Sequence, residues 1–558
     1  MPKKQFIFSL ISFLFALNIS AQVPSWEWAR SAGDSLLDVG YSVATDASGN
    51  CYVAGGFSSD TIIFGNTQLY NLANNMMGDF MDMFLVKYDP NGNVLWARSA
   101  GGIQPDAAYS VTVDINGNVL VVGFFNNNTI TFGSTTLSNA DIFIVKYDSN
   151  GNVLWAKSPN GYSGGIATSV SCDAQGNCYV GGKFTTPTLT FGSTTLTNSG
   201  TNTTDAFLAK YDSNGNALWA VSGGGVDDES ITAVVTDAAG NSYVAGNFYS
   251  GSITFGSTTS NNSSFNYCDL FLMKYDASGN LLWTKTAGGL YDDKATSVCL
   301  DGAGNCYLTG YFSGTTFTIG SLTMPSSGME DVLLAKYTSS GNLAWARGMG
   351  DSGSEEANSV AVGGSGNIYV AGFFSSPNLA FGPTTIYNSG LLSDMMLLQF
   401  DPLGNPLWAK NANGSGRDAA QAVTVDVSGN VFVTGFFESV MCTFSTDTLL
   451  NSEITGKGGD FFLGKIGKGF EGIFSPTAES NVSIFPNPSS GIFHFEMKGE
   501  KNAPAEIEIY DAFGQLILQT EFRNSEMNID LSEKAKGIYF YRISNEAGIL
   551  DTGKMMVE

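Results

Sequence analysis

The sequence predicts an all-β chain in which a seven-bladed β-propeller, closed by its own N-terminal strand, is followed by a small Ig-like β-sandwich. Three observations carry that prediction. A block close to Leu-Trp-Ala-(Lys/Arg) recurs with tryptophans at 28, 96, 155, 219, 283, 345 and 408. A period of about 60 residues that holds several short strand signals suits propeller blades better than solenoid coils. Most periods carry two turns of the form Asp-x-x-Gly-Asn between apolar segments, which is hairpin chemistry. Beyond residue 468 the repeat stops and a different period-two pattern takes over.

In chain order, Lys3 and Lys4 precede an apolar run from Phe6 to Leu17 that closes on Ile19-Ser20-Ala21. This is the layout of a secretory signal peptide over residues 1–21. The run is about a dozen residues, short of the roughly 20 that cross a bilayer, so the mature chain is expected from Gln22 with no transmembrane segment. The propeller, residues 22–468, opens on Trp26-Glu-Trp28-Ala-Arg30. The first blade runs through Tyr41-Ser-Val-Ala-Thr45, a turn Asp46-Ala-Ser-Gly-Asn50 and Cys51-Tyr-Val-Ala-Gly-Gly-Phe57. A longer polar connection follows, which carries Phe-Gly at Phe64, Phe132, Phe191, Phe255 and Phe381 across the repeats. A third strand such as Asp141-Ile-Phe-Ile-Val-Lys-Tyr147 and a second turn, Asp148-Ser-Asn-Gly-Asn152, lead into the tryptophan strand. The first three strands and the tryptophan strand each occur seven times, out of phase: Trp26 has no set before it, and the set from Val423 to Lys465 has no tryptophan strand after it. Laying the N-terminal strand on the last blade removes the open edge and closes the ring. Residues 469–480 read as a linker, and 481–558 as the strands of a sandwich.

Most recurring letters have local explanations. All eight tryptophans fall in outer strands, where the ring is expected to pack on the neighbouring blade. Gly55, Gly123, Gly182, Gly246, Gly310, Gly372 and Gly435 hold one position of the second strand, which suits close backbone approach near the centre. Asp148-x-Asn150-x-Asn152 spaces oxygens like a calcium loop, yet Gly stands fourth rather than sixth and no Glu stands twelfth. An Asp capping a turn accounts for the same letters. Cys172 and Cys178 face each other across one turn in a register that permits a disulfide. Cys299 and Cys306 are one step out of that register and are expected as free thiols.

Composition narrows the function. The chain has 26 basic against 51 acidic residues and a net charge of −25, so its field repels nucleic acid. His494 is the single histidine, which excludes a His general base in the repeats and any multi-His metal site. At 43% hydrophobic and 14% charged residues the chain is not disordered. Nucleophile elbows, phosphate loops and Cys/His metal patterns are absent from the sequence.

The recurring block Ser-Val-x-x-Asp-x-x-Gly-Asn-x-Tyr-Val-x-Gly-x-Phe, with Phe-Leu-x-Lys-Tyr-Asp-x-x-Gly-Asn-x-Leu-Trp-Ala, covers about residues 26–468. It resembles the SBBP-type β-propeller repeats of secreted bacterial proteins. That resemblance implies a fold and no particular activity. In the C-terminal module, Phe485-Pro486-Asn487-Pro488-x-x-Gly491, Tyr510-Asp-x-x-Gly514 and Gly537-Ile-Tyr, with Lys554 near the end, resemble the C-terminal sorting domain of type IX (Por) secretion. The resemblance implies the type IX machinery as partner and passage from the periplasm across the outer membrane to the outside or the cell surface. It also implies a domain that is often removed, sometimes with attachment to surface polysaccharide. His494 falls in a strand of this module and is expected as a strand residue rather than a ligand or base.

Two acidic sets stand out. Asp82, Asp141, Asp205, Asp269, Asp331, Asp394 and Asp460 open the third strands. Asp38, Asp106, Glu229, Asp293, Glu355 and Asp418 stand five residues before a first-strand Val, with Gly165 in the third blade. Both sets are expected on the face where the longer connections emerge, opposite the Asp-x-x-Gly-Asn turns. Around a channel mouth the second set would form an acidic funnel or hold a divalent cation, Ca2+ being the one cofactor the residues suggest. The other reading, which the sequence favours, has each carboxylate capping backbone N–H groups at a strand start. The loops of this face, such as Asn198-Ser-Gly-Thr-Asn-Thr-Thr204 and Ser260-Asn-Asn-Ser-Ser264, are neutral and polar, which suits glycans. The expected function is therefore a surface binding or adhesion module for polysaccharide or a protein partner. The alternative is a carboxylate-based glycosidase or lyase on the loop face. A catalytic site needs one blade to break the pattern, and only mild breaks occur: Gly165, Gly363, Gln399, Asp227-Asp-Glu229 and Asp351-Ser-Gly-Ser-Glu-Glu356. No catalytic residue is assigned.

Overall fold

The computed structural model describes residues 23–467 and 482–557, apart from 73–79, 127–128, 139–140, 161–163, 265, 413, 446, 453–457, 498–504, 512–515, 523–525 and 546–547. The expected signal peptide, the linker and Gly514 lie outside the described residues. Every regular element among the described residues is a strand, and no helix is long and apolar enough to cross a membrane. The chain divides after Gly469 into two compact units.

Among the described residues the first unit holds seven four-stranded antiparallel arrays, two of them extended by a hairpin of the next repeat. The first joins Asp38–Thr45, Cys51–Phe57, Asp82–Tyr88 and Val94–Ala100 in chain order. In the last, Asp418–Val425, Val431–Phe437 and Asp460–Ile466 take Trp26–Ala32 as their outer strand. The innermost strands pack side by side in a ring: Asp38–Thr45 touches Asp106–Val113 on one side and Asp418–Val425 on the other. The unit is thus an all-β, propeller-like ring. A sheet with a neighbour on each face has no wet side, and Cys51–Phe57 and Asp82–Tyr88 are accordingly buried along their whole length.

Repeated side chains bond each sheet to the next. The Trp96 indole N–H donates to Ser149 O of the following sheet at 3.1 Å, and its ring covers Gly151, where a Cβ would lie 3.0 Å from the ring. Trp155 and Trp219 do the same with Ser213 O and Ala277 O, each at 3.1 Å. Lysines of the third strand reach these carbonyls too, Lys87 to Ser149 O at 3.2 Å and Lys210 to Ala277 O at 3.1 Å. On the way the Lys87 ammonium sits 4.9 Å from the centre of the Tyr52 ring.

The polar connection differs from the sequence expectation. It folds into a two-stranded hairpin in every repeat, Thr61–Phe64 with Thr67–Tyr70 in the first. Ile62, Phe64 and Leu69 are buried while Ile63 and Tyr70 are exposed, so the period-two alternation was present but short. The Phe-Gly pair makes the turn: Gly65 has φ 58°, the first position of a primed hairpin turn, and Ser445 with φ 50° replaces it in the seventh repeat. The hairpins also reach the preceding sheet, as where Phe255 pairs with Gly223.

In the second unit, Val482–Phe485, Ile492–Met497 and Glu526–Asp530 form one sheet, and Leu516–Phe522, Ala505–Tyr510, Gly537–Asn545 and Gly548–Val557 another. They share a core that includes Phe493, Phe495, Ile507, Ile529, Tyr541 and Ile543. The Asn487 side chain clips its loop to the last strand, donating to Lys554 O at 2.8 Å and accepting from Met556 N–H at 2.9 Å. Gly491 has φ 122°, and a Cβ there would lie 2.4 Å from Ser532 Cα. His494 lies 2.7 Å from Asn528 Oδ1 and packs its ring 4.9 Å from Phe485.

Candidate functional site

Each innermost strand slips by one residue in its pairing with the second strand. The residues left without a register partner are Tyr41, Tyr109, Thr168, Thr232, Thr296, Asn358 and Gln421. These are β-bulges, which bend a strand and re-aim one side chain. The second-strand glycines make room for them. A Cβ on Gly55 would stand 2.0 Å from Val39 O, and one on Gly182 would stand 2.0 Å from Ile166 O. The close backbone approach that the glycines announce therefore has a cause, the kinked strand beside them. Tyr41, Tyr109, Thr168, Thr232, Asn358 and Gln421 line an axial cavity of about 260 Å3. Sequence reasoning missed this group; the recurring glycine was its signal.

The acidic residues lie elsewhere than at a channel mouth. Asp38, Asp106, Asp293, Glu355 and Asp418 are 0% exposed and Glu229 is 1% exposed. Each is set between two sheets, beside the third-strand Asp of the preceding one. Like-charge repulsion couples Asp106 to Asp82, Glu229 to Asp205, Asp293 to Asp269, Asp418 to Asp394 and Asp38 to Asp460. The six first-strand carboxylates form no open funnel, because each is buried between sheets. Asp38 accepts from Ser59 Oγ at 2.7 Å and from the N–H groups of Asp34 and Ser59. Glu355 likewise accepts from Ser376 Oγ at 2.6 Å and from Asp351 N–H at 2.8 Å. Across the interface Asp82 accepts Leu72 N–H at 2.8 Å and Asp205 accepts Ser199 N–H at 2.8 Å. Where the third repeat has Gly165, Asp141 takes the Gly164 N–H.

The pairs are not fully satisfied. Among the described residues eight of these carboxylates keep one buried oxygen without a hydrogen-bond partner, Asp82 Oδ1 and Asp106 Oδ2 among them. Glycine lets the two members approach: a Cβ on Gly33 would lie 2.2 Å from Asp460 Oδ1 and 3.0 Å from Asp38 Oδ2. Burial, reinforced by the neighbouring acid, pushes Asp106 up to about 8, and burial alone carries Asp82 to about 6. Asp38, Glu229 and Asp293 rise to about 7 by the same cause.

The turns and breaks are local. Asp148 Oδ1 accepts the N–H groups of Asn150 and Asn152 at 2.9 and 2.8 Å, and Oδ2 accepts the Asn152 amide at 2.8 Å. Gln399, standing where other repeats have Lys, donates to Tyr369 OH at 2.7 Å. Gly363 still closes its turn through Gly366 N–H at 2.8 Å. Asp227 and Asp228 line a loop-face cavity of about 250 Å3 with Thr203, Tyr249 and Asn266. Cys172 and Cys178 pair directly in register but are free thiols with Sγ atoms 3.7 Å apart, so the disulfide that the register permits is not formed. Cys299 and Cys306 are free as well. Among the described residues, His, Cys, Asp and Glu make no group of three or more arranged to hold a metal ion.

Ring and terminal module together define an all-β repeat chain that carries an export address. Residues 483–558 match the family model described as a secretion system C-terminal sorting domain. That domain marks export by type IX secretion to the cell surface or extracellular space. The uncharacterized WD repeat-containing protein L264 of Acanthamoeba polyphaga mimivirus is 26% identical over 510 residues, covering 75% of this chain and 36% of that one. The regulatory protein FlaEY of Caulobacter vibrioides is 28% identical over 272 residues, covering 45% of this chain and 28% of that one. The chain thus spans about a third of the length of these curated relatives. Among solved structures, Sqt1 from Chaetomium thermophilum is similar at TM-score 0.38 and 9% identity, covering 73% of this chain and 81% of that one. The Neurospora crassa Pan2 WD40 domain is similar at TM-score 0.37 and 8% identity, covering 79% and 97%. The ring described above stands on its own strand pairing.

Proposed function

We propose that the chain is a seven-bladed, SBBP-type propeller with an Ig-like sorting sandwich, exported through the periplasm to serve as a surface or secreted binding and adhesion module. Its partner is a polysaccharide or a surface protein. The observation that carries this reading is the fate of the acids. The six first-strand carboxylates, the ones an enzyme at the channel mouth would draw on, are sealed between sheets and hydrogen-bonded, out of reach of a substrate. What the loop face offers outward is mostly uncharged: Thr201, Asn202, Asn261 and Ser263 are exposed, with apolar side chains such as Val226 and Tyr291 among them, and the exposed acids Asp227 and Asp228 add a local negative charge. Such surfaces bind rather than react. The test is a polysaccharide and glycan array probed with the secreted chain, run beside adherence of cells that lack it. Selective array binding, or adherence lost with the chain, supports the module; neither effect refutes it. Removal of residues 483–558 is expected to leave the propeller in the periplasm, read by cell fractionation.

A further inference from the structure

We propose that the axial cavity is a binding site for one neutral sugar ring; this rests on the binding-module reading and names the ligand class for one part of it. Six bulged side chains from six different sheets converge on the cavity of about 260 Å3. That is below the roughly 300–1,000 Å3 typical of pockets for drug-sized ligands, so it takes a single ring rather than a length of chain.

The lining departs from the repeat on one side only. Over four consecutive sheets the bulged residue gives its hydrogen to the carbonyl just before the next bulge. Thr168 Oγ1 donates to Ile231 O at 2.7 Å, Thr232 Oγ1 to Ala295 O at 2.9 Å, Thr296 Oγ1 to Ala357 O at 2.6 Å and Asn358 Nδ2 to Ala420 O at 2.9 Å. This belt is structural, and three of its members, Thr168, Thr232 and Asn358, also line the cavity. At the next three positions stand Gln421, Tyr41 and Tyr109, larger groups than any in the belt. The two tyrosine rings meet edge to face with centroids 5.3 Å apart, and Phe124 stacks behind Tyr109 at 5.6 Å and 17°.

One wall is therefore a braced aromatic surface and the other a set of hydroxyl and amide groups. No Asp, Glu, Lys or Arg is among the residues lining the cavity. A pyranose matches this division: its C–H face lies on an aromatic ring while its hydroxyls meet neutral donors and acceptors. An anion would find no cation there, and an aliphatic ligand would set an apolar group against the Gln421 amide.

The test titrates the secreted chain with D-glucose, D-galactose, D-mannose and N-acetyl-D-glucosamine, with choline as counter-probe, by calorimetry and saturation-transfer NMR. Variants are Tyr109→Ala, Tyr109→Phe and Gln421→Leu, with the hairpin variant Thr131→Val as control and thermal midpoints recorded for all. At least one sugar is expected to bind, Tyr109→Ala and Gln421→Leu to weaken it about tenfold, and Tyr109→Phe and Thr131→Val to leave it. Choline binding in place of sugar overturns the inference, as does the absence of binding by all four sugars. Array binding that survives Tyr109→Ala and Gln421→Leu also overturns it, while leaving the binding module intact.

Discussion

Asp106 tests how the carboxyl pairs between sheets are held. Its Oδ2 lacks a partner, Asp82 stands beside it, and burial lifts its pKa to about 8 against about 6 for Asp82. An unfolded Asp titrates near 4. Because the folded value is the higher one, the native chain keeps a proton that the unfolded chain has already lost between about pH 4 and pH 8. Stability is therefore fullest on the acid side of that window and falls as pH rises through it. Each such proton costs about 1.4 kcal/mol per pH unit, so Asp106 alone weakens the fold by about 3 kcal/mol between pH 5 and pH 7. The turn residue Asp148 is shifted the opposite way by the Asn152 N–H, so its contribution is lost only below about pH 4 and stays constant in the window. Asp106→Asn keeps the shape, removes the titration and supplies an amide donor to Asp82. Urea unfolding followed by tryptophan fluorescence at pH 5, 6, 7 and 8 is the assay. The parent midpoint is expected to fall over this range; the variant's falls less steeply and equals or exceeds the parent's at pH 8. A parent midpoint that is flat or rises, or a variant that keeps the full slope, would refute the reasoning.

Other expectations follow from the same contacts. At pH 8, where the pairs are most ionised, calcium against chelator is expected to raise the thermal midpoint if a cation can replace the missing proton; an unchanged midpoint would remove calcium from consideration. Gly182→Ala forces a methyl to 2.0 Å from Ile166 O and should cost about 2 kcal/mol or more, read as a lowered midpoint; a neutral effect would show that the bulge can relax. Trp219→Ala removes the bond to Ala277 O and the cover over Gly279, for a loss of about 2–3 kcal/mol on the same assay.

Much of the frame was legible in the residues because its causes are local. Asp-x-x-Gly-Asn turns, period-two strands and one tryptophan per repeat act within a few residues of themselves, and their order implied where Trp26–Ala32 must pair. The short hairpins escaped notice because four-residue strands carry too little alternation to stand out from a polar loop, although Gly65 and its equivalents mark the turn. The carboxylates show where sequence reasoning stops. Their spacing placed Asp38 and Asp106 at strand starts, and the capping role follows from that alone. Whether they face water or one another depends on how adjacent sheets pack, and the packing turned them inward against Asp460 and Asp82. The axial cavity was equally out of reach, since Tyr41, Tyr109 and Gln421 are far apart in the chain and meet only because a bulge turns each toward a shared axis. By itself the sequence determined the four main strands of each repeat, their turns, the repeat order and the export address, all consequences of neighbouring residues. The tertiary structure alone decided which polar groups stay free to bind, because burial and pairing between sheets are set by the closed ring.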